Sequence, residues 1–464
     1  MTDRSFSLPV TDNADARLAG RWLKLGVLTL LAAAVHSVLS LLMRIPGADT
    51  RVPAAELFRA AQVVQLDLSV LIWPLAFAGV LWSLNATRVH ALWDHSALLL
   101  ASAGTAAIAV SPFLGAGDPI MTSYVPVLDG PLFYLAGWTT MAGFGLLVLR
   151  AMFASRSLGK PVSEPDVLRA GIYFSAFAAV VSGLALAWSY WGLPPTLPPG
   201  LYFELLFWGA GHVLALTRTL LLLVAWIWLC QAAAFRIRLT ARGGVNLMAV
   251  ALVPVLVTPF IYFGGEVTSA FHREAFTRLM QYGGLMALPL GAVTFLALLA
   301  RGPAAPRQRS LRSALYGSLA LFAFGGAAGF LAGDGSGLLA AHSLGAHAGV
   351  VLALMGLAYH LLPRLGFGEP MPRVARVQPF VYGGGQLLHV IGLVWSGGSV
   401  DLQGGTAGAA QGQGGLPGNP GPALTGLGEL AALIGVLLFV AVAFRAVWLP
   451  GGGAERQGES SGRQ

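Results

Sequence analysis

The sequence predicts an all-α protein built from twelve membrane-spanning helices. Three observations carry that prediction. Of 464 residues, 56% are hydrophobic and only 10% are charged. With a mean hydropathy of +0.71, these values exclude a soluble globular domain. Apolar runs of about 20 residues, the length that crosses a ~30 Å hydrocarbon core, recur along the whole chain. Lys and Arg alternate from loop to loop: 22 lie in the terminal segments and even-numbered loops, 5 in the odd-numbered loops, and Arg218 stands inside a helix. That asymmetry predicts both termini on the cytoplasmic side of a bacterial-type inner membrane.

The spans are read at 22–44, 60–84, 92–112, 130–152, 167–189, 201–233, 244–264, 276–300, 311–332, 339–364, 378–396 and 424–448. Residues 1–21 form a polar cytoplasmic segment with no cleavable signal, 22–448 one transmembrane domain, and 449–464 a polar tail. The 403–423 connection is rich in Gly and Pro and irregular. A net charge of +8 and a pI near 10.0 come from loop arginines, so they point to lipid topology and not to nucleic acid. The single cysteine, Cys230, makes no intramolecular disulfide.

Taken in order, the first span carries His36. The second holds Gln62, Gln65 and Asp67 in its first turns, and a carboxyl at that depth needs a partner, a proton or interfacial water. The third to fifth spans carry no candidate. Loops 113–129 and 190–200 are rich in Pro and Gly, and Trp188, Tyr190 and Trp191 form an interfacial belt. The sixth span holds His212 and Arg218, which are about 240° apart around the helix and do not share a face. Gly209 and Gly211 flank His212 and permit close approach of a backbone or a flat cofactor. Glu266, His272, Arg273 and Glu274 follow in an outer, solvated loop. The tenth span, AAHSLGAHAGVVLALMGLAYHLLPRL, carries His342 and His347 in its outer part, about 140° apart. The eleventh carries His389.

Six of the nine histidines therefore share the outer half. Histidine is the commonest metal ligand, and a cluster at one depth suits a cofactor plane. The plainer reading is a set of polar residues satisfied separately between helices.

This ordered set resembles subunit I of the haem–copper oxidases. The stretches that carry the likeness are FWGAGHVLALTRTLLLLVAW, Phe276–Pro289, AHSLGAHAGVVLALMGLAYHLLPRLGF and GGGQLLHVIGLVWSGG; with the twelve spans in order, the resemblance covers nearly the whole chain. The resemblance implies a cytochrome c oxidase subunit I-like protein in respiratory electron transfer, an oxidoreductase if active. It implies one high-spin haem on His342, copper on His212, and other membrane subunits of a respiratory complex as partners.

Departures from the family pattern are concentrated. The second histidine of the tenth-helix pair falls on Leu344, and the second-helix histidine on Gln65. The tyrosine after the copper ligand falls on Leu216. The histidine pair after the seventh helix falls near Ile261 and Tyr262, with His272 the nearest substitute, and the basic pair for haem propionates falls around Gly404 and Gly405. These losses predict a low-spin haem site that is lost or rebuilt. His347, three residues beyond Leu344 and about 4.5 Å deeper, is then the relocated ligand, with His389 or His36 opposite. The alternative is a non-catalytic paralogue acting as partner, sensor or assembly subunit. A transporter around Asp67, Glu204 and Arg218 ranks last, because no inverted repeat is visible.

Overall fold

The computed structural model describes residues 5–10, 13–42, 55–87, 91–115, 117–300, 304–332, 337–396 and 420–449. Twelve helical rods run through them. They are α1 (Ala14–Leu42), α2 (Ala55–Leu66, continued by a π-helical turn Asp67–Ile72 and by Trp73–Leu84), α3 (Ala91–Val110), α4 (Pro131–Ala154), α5 (Glu164–Gly192), α6 (Pro199–Ala232) and α7 (Ala241–Gly264). The set continues with α8 (Ala270–Gly283, a 3₁₀ turn Gly284–Ala287, then Leu288–Leu299), α9 (Pro306–Leu331), α10 (Gly337–Leu361), α11 (Pro372–Trp395) and α12 (Gly421–Trp448). Two short strands, β1 (Asp118–Ile120) and β2 (Val127–Asp129), pair antiparallel between α3 and α4. Among the described residues, eleven helices are long and apolar enough to cross a membrane. The remaining rod, α11, has 24 residues, ample length for a span, but Gln378, Gly383–Gly385, Gln386 and His389 dilute its hydropathy. The 397–419 connection and the tail after Leu449 lie outside the described residues.

Local chemistry explains the boundaries. Proline occupies one of the first two positions of α4, α5, α6, α9, α11 and α12, where its missing N–H is no loss. Thr240 caps α7 by accepting from the Gly243 N–H at 3.1 Å. The first helix starts at Ala14, well before the expected Trp22, because Asn13 caps it through the Ala16 N–H at 2.9 Å.

Consecutive helices pack as antiparallel pairs, most extensively α3 with α4, α5 with α6, α9 with α10 and α11 with α12, while α1 lies against α2 and α12. Three rods stand at the centre. Every residue of α6 from Leu220 to Cys230 is buried, as is nearly all of Trp73–Leu84 in α2 and the run Val350–Tyr359 in α10. A helix apolar and buried on all sides belongs in the interior. The outer rods keep large apolar side chains exposed, among them Phe260, Phe263, Phe295, Leu296 and Phe380.

Polar bridges stitch the centre to its surroundings. Trp82 of α2 donates to Ser175 of α5 at 3.0 Å. Trp226 of α6 donates to Ser318 of α9 at 2.8 Å, and Ser318 donates to the Gly349 carbonyl of α10 at 2.6 Å. Tyr359 of α10 donates to Gln378 of α11 at 3.0 Å, and Gln378 donates to the Gly435 carbonyl of α12 at 3.2 Å. On the face that carries the termini, Arg150 of α4 is 1% exposed and pairs with Asp94 of α3 and Asp15 of α1. It is a buried ion, not the loop charge the sequence suggests.

Candidate functional site

The three central rods carry the candidate residues, and the face opposite the termini supplies the rest. His212 of α6 is 4% exposed. Its Nδ1 lies 2.7 Å from the Trp208 carbonyl. A carbonyl only accepts, so Nδ1 carries the proton and Nε2 keeps its lone pair. Aromatic rings enclose the imidazole: Tyr124 and Trp208 with centroids 4.9 Å away, and Phe276 at 5.6 Å.

Tyr124 comes from the segment between β1 and β2. It reaches His212 only because Gly211 has no side chain, since a Cβ there would sit 2.8 Å from the Tyr124 Cβ. Glu204 fixes the same segment by accepting from the Ser123 N–H at 2.8 Å. Burial pushes the Tyr124 phenol above its ordinary range, so the group is neutral. Sequence reasoning missed Tyr124, and the small residue beside His212 was the one available hint.

His272 overturns its expected place in a solvated loop. Ser269 caps α8 by accepting from the His272 N–H at 3.2 Å, which puts His272 in the first helical turn. The side chain is fully buried between Tyr262 and Phe276, at ring separations of 4.8 and 4.9 Å. Neither of its ring nitrogens has a hydrogen-bond partner.

His342 lies one turn into α10 and is half-buried. Its Nδ1 donates to the Gly325 carbonyl of α9 at 2.8 Å, again leaving Nε2 with its lone pair. Gly329, one turn further along α9, makes room for the ring.

His347 faces another way. Arg218 Nη1 lies 3.4 Å from its Nδ1 and donates to the Val70 carbonyl at 3.1 Å. The Val70 carbonyl belongs to the π-helical turn of α2, and Pro74, one turn on, has no N–H to offer it. Gln65 joins the network by donating to Ser69 Oγ at 3.3 Å. The turn's own carboxyl, Asp67, is 4% exposed, with Oδ1 unpartnered. His212 and Arg218 keep to the separate faces expected of them: Tyr124 packs on the His212 ring, while Arg218 reaches Val70 and His347.

The remaining expected positions are filled by packing. Leu344 packs against an apolar cluster of Ala328, Ala341, Val390 and Leu393. Leu216 and Ile261 are buried in the main core. Tyr262 donates to the Ala185 carbonyl at 2.9 Å. His389 of α11 is half-buried, with its backbone against Gly428 of α12, and His36 is held by the Ala32 carbonyl at 2.9 Å. Gly404 and Gly405 lie outside the described residues. Two cavities at the α5–α7 seam, 440 and 250 Å³, share Trp188 and Tyr262 and include no histidine. Among the described residues, no three His, Cys, Asp or Glu converge as a metal site.

The donor set fits one group better than the other. A haem iron needs an imidazole presenting Nε2, and His342 does so with its Nδ1–H anchored, the arrangement typical of a ligating histidine. A tightly held copper ion needs more than His212 and one neighbour, and the described residues offer no third donor.

No protein-family model matches the chain. It is 22% identical over 448 residues to an uncharacterized protein of Rickettsia prowazekii, covering 82% of this chain and 87% of that protein. It is 22% identical over 359 residues to an uncharacterized protein of Aquifex aeolicus, covering 77% and 88%. A chain of a haem–copper terminal oxidase dimer solved by cryo-EM superposes with a TM-score of 0.65 at 16% identity, over 95% of this chain and 84% of that one. Helix order, central rods and superposition agree: this integral membrane protein has the fold of a haem–copper terminal oxidase chain.

Proposed function

We propose that the chain is a cytochrome c oxidase subunit I-like electron-transfer protein that holds one high-spin haem on His342, with His212 on the facing side. The observation that carries this reading is the Nδ1–H to Gly325 carbonyl bond at 2.8 Å, which orients His342 and raises the basicity of its Nε2. A haem bound there would supply an iron with one open position and one-electron redox chemistry. His212, anchored to Trp208 through Nδ1, keeps a second Nε2 lone pair. Tyr124, Trp208 and Phe276 keep water from it. The charge asymmetry of the loops supports cytoplasmic termini in a bacterial inner membrane, and the oxidase fold supports membrane subunits of a respiratory complex as partners.

A second reading is a partner, sensor or assembly subunit without oxygen reduction. The contact that ties His347 Nδ1 to Arg218 favours it, because it engages the ring that a second haem would need.

Optical spectra of the purified chain, reduced with and without CO, separate these readings when haem and metal are quantified per chain. The expected result is one high-spin, CO-reactive haem, lost in His342→Ala and retained in His347→Ala. A low-spin band that disappears with His347 would make that residue an iron ligand. A folded chain without haem would remove the first reading and leave the second.

A further inference from the structure

We propose that the free edge of Arg218 is an anion site in the middle of the bundle, shaped for a carboxylate. Arg218 sits in the middle of α6, beside the fully buried Leu220–Cys230 stretch. Its Nη1 hydrogens are directed at the Val70 carbonyl and His347 Nδ1, 3.1 and 3.4 Å away. Nε and Nη2 bond to no described residue, and the side chain keeps accessible surface although it lies deep between helices. That edge is left with two N–H donors and no acceptor among the described residues.

Among the described residues, no carboxylate pairs with this charge. The ion pairs among the described residues leave Arg218 out. Glu204 is engaged by the Ser123 N–H, and Tyr124 and His347 bring no negative charge. An ion removed from water without a counter-charge is strongly unfavourable, and an ionisable residue inside a membrane marks a functional site. The Nε–Nη2 edge of a guanidinium holds two parallel donors at the spacing of a carboxylate's oxygens. A carboxylate there would complete the donor set and cancel the charge.

Two sources share this chemistry: a free small carboxylate, and a carboxylate side chain of a bound haem. The test uses the full chain in lipid nanodiscs, with Arg218→Gln and Arg218→Lys beside it. One arm titrates ¹³C-formate and reads the unfolding midpoint and the infrared carboxylate bands. The other labels the haem carboxylates with ¹³C during growth and reads their bands.

For a free carboxylate, formate raises the midpoint saturably, Arg218→Gln abolishes the response, and Arg218→Lys weakens it at least tenfold, because lysine keeps the charge and loses the fork. For a haem carboxylate, formate does nothing and Arg218→Gln shifts the labelled bands. A response in neither arm overturns the site, and so does a lysine variant that behaves as wild type. The formate arm needs no haem, so loss of the haem reading and loss of this one are distinguishable.

Discussion

Replacing Arg150 with methionine is expected to destabilise the bundle by about 3–5 kcal/mol, the range for removing one partner of a buried ion pair. Arg150 is 1% exposed, and its guanidinium joins three helices. Nε contacts the Asp94 carboxylate. Nη2 lies 3.4 Å from Asp94 Oδ2 and 3.4 Å from Asp15 Oδ1. Methionine fills a similar volume, so packing survives while two carboxylates, 8% and 6% exposed at Asp15 and Asp94, lose their only shared cation. Their desolvation is then uncompensated. The midpoint of chemical unfolding in detergent reads the loss. Adding Asp15→Asn and Asp94→Asn to Arg150→Met is expected to recover much of it, because neutral amides carry no such penalty. An Arg150→Met chain as stable as wild type would mean that water reaches the carboxylates and the triad does not hold α1, α3 and α4 together.

This triad also marks where sequence reading stops. The spans were legible because a bilayer demands long apolar runs with no polar interruption. The same rule treats every arginine near a span end as a loop charge, so Arg150 looked solvated until Asp15 and Asp94 were seen beside it. The start of α8 failed similarly. Charged neighbours Arg273 and Glu274 made 266–275 read as a loop, yet only one side of that turn faces outward, and His272 on the other side is buried.

At the site, the histidines were legible as residue types and their bonding was not. Rotation about α6 separates His212 from Arg218, while Tyr124 arrives from a distant hairpin to pack on His212, a contact that helix geometry cannot announce. The π-helical turn at 67–72 is announced only by Pro74 just beyond it, whose missing N–H leaves the Val70 carbonyl without its α-helical donor. Arg218 of α6 donates to that carbonyl and lies 3.4 Å from His347 Nδ1 of α10, an exchange that spans three helices distant in sequence.

Gly345→Leu is expected to part α9 from α10 and to move His342. A Cβ at Gly345 would lie 2.9 Å from Gly325 Cα, 3.0 Å from Gly325 N and 3.1 Å from the Leu321 carbonyl oxygen. All three are backbone atoms, so no rotamer change relieves the overlap and the helices must separate. Overpacking of this kind costs about 1–3 kcal/mol, and close approach at small residues is what holds neighbouring helices in lipid. The effect does not stop at stability. His342 is bonded to the carbonyl of Gly325 at 2.8 Å, so a helix shift of an ångström or so, the order expected for one inserted side chain, lengthens or breaks that bond and turns the ring. The predicted outcome is a lower unfolding midpoint together with a loss or broadening of the haem bands in chains that carry haem. Gly326→Ala is the control on the same helix pair, because a Cβ at Gly326 meets nothing within 4 Å. That variant is expected to keep the wild-type spectrum and to gain up to about 1 kcal/mol from helix propensity. If Gly345→Leu is as benign as Gly326→Ala, the spacing of α9 and α10 is set elsewhere, and the Gly325 carbonyl is not what orients His342.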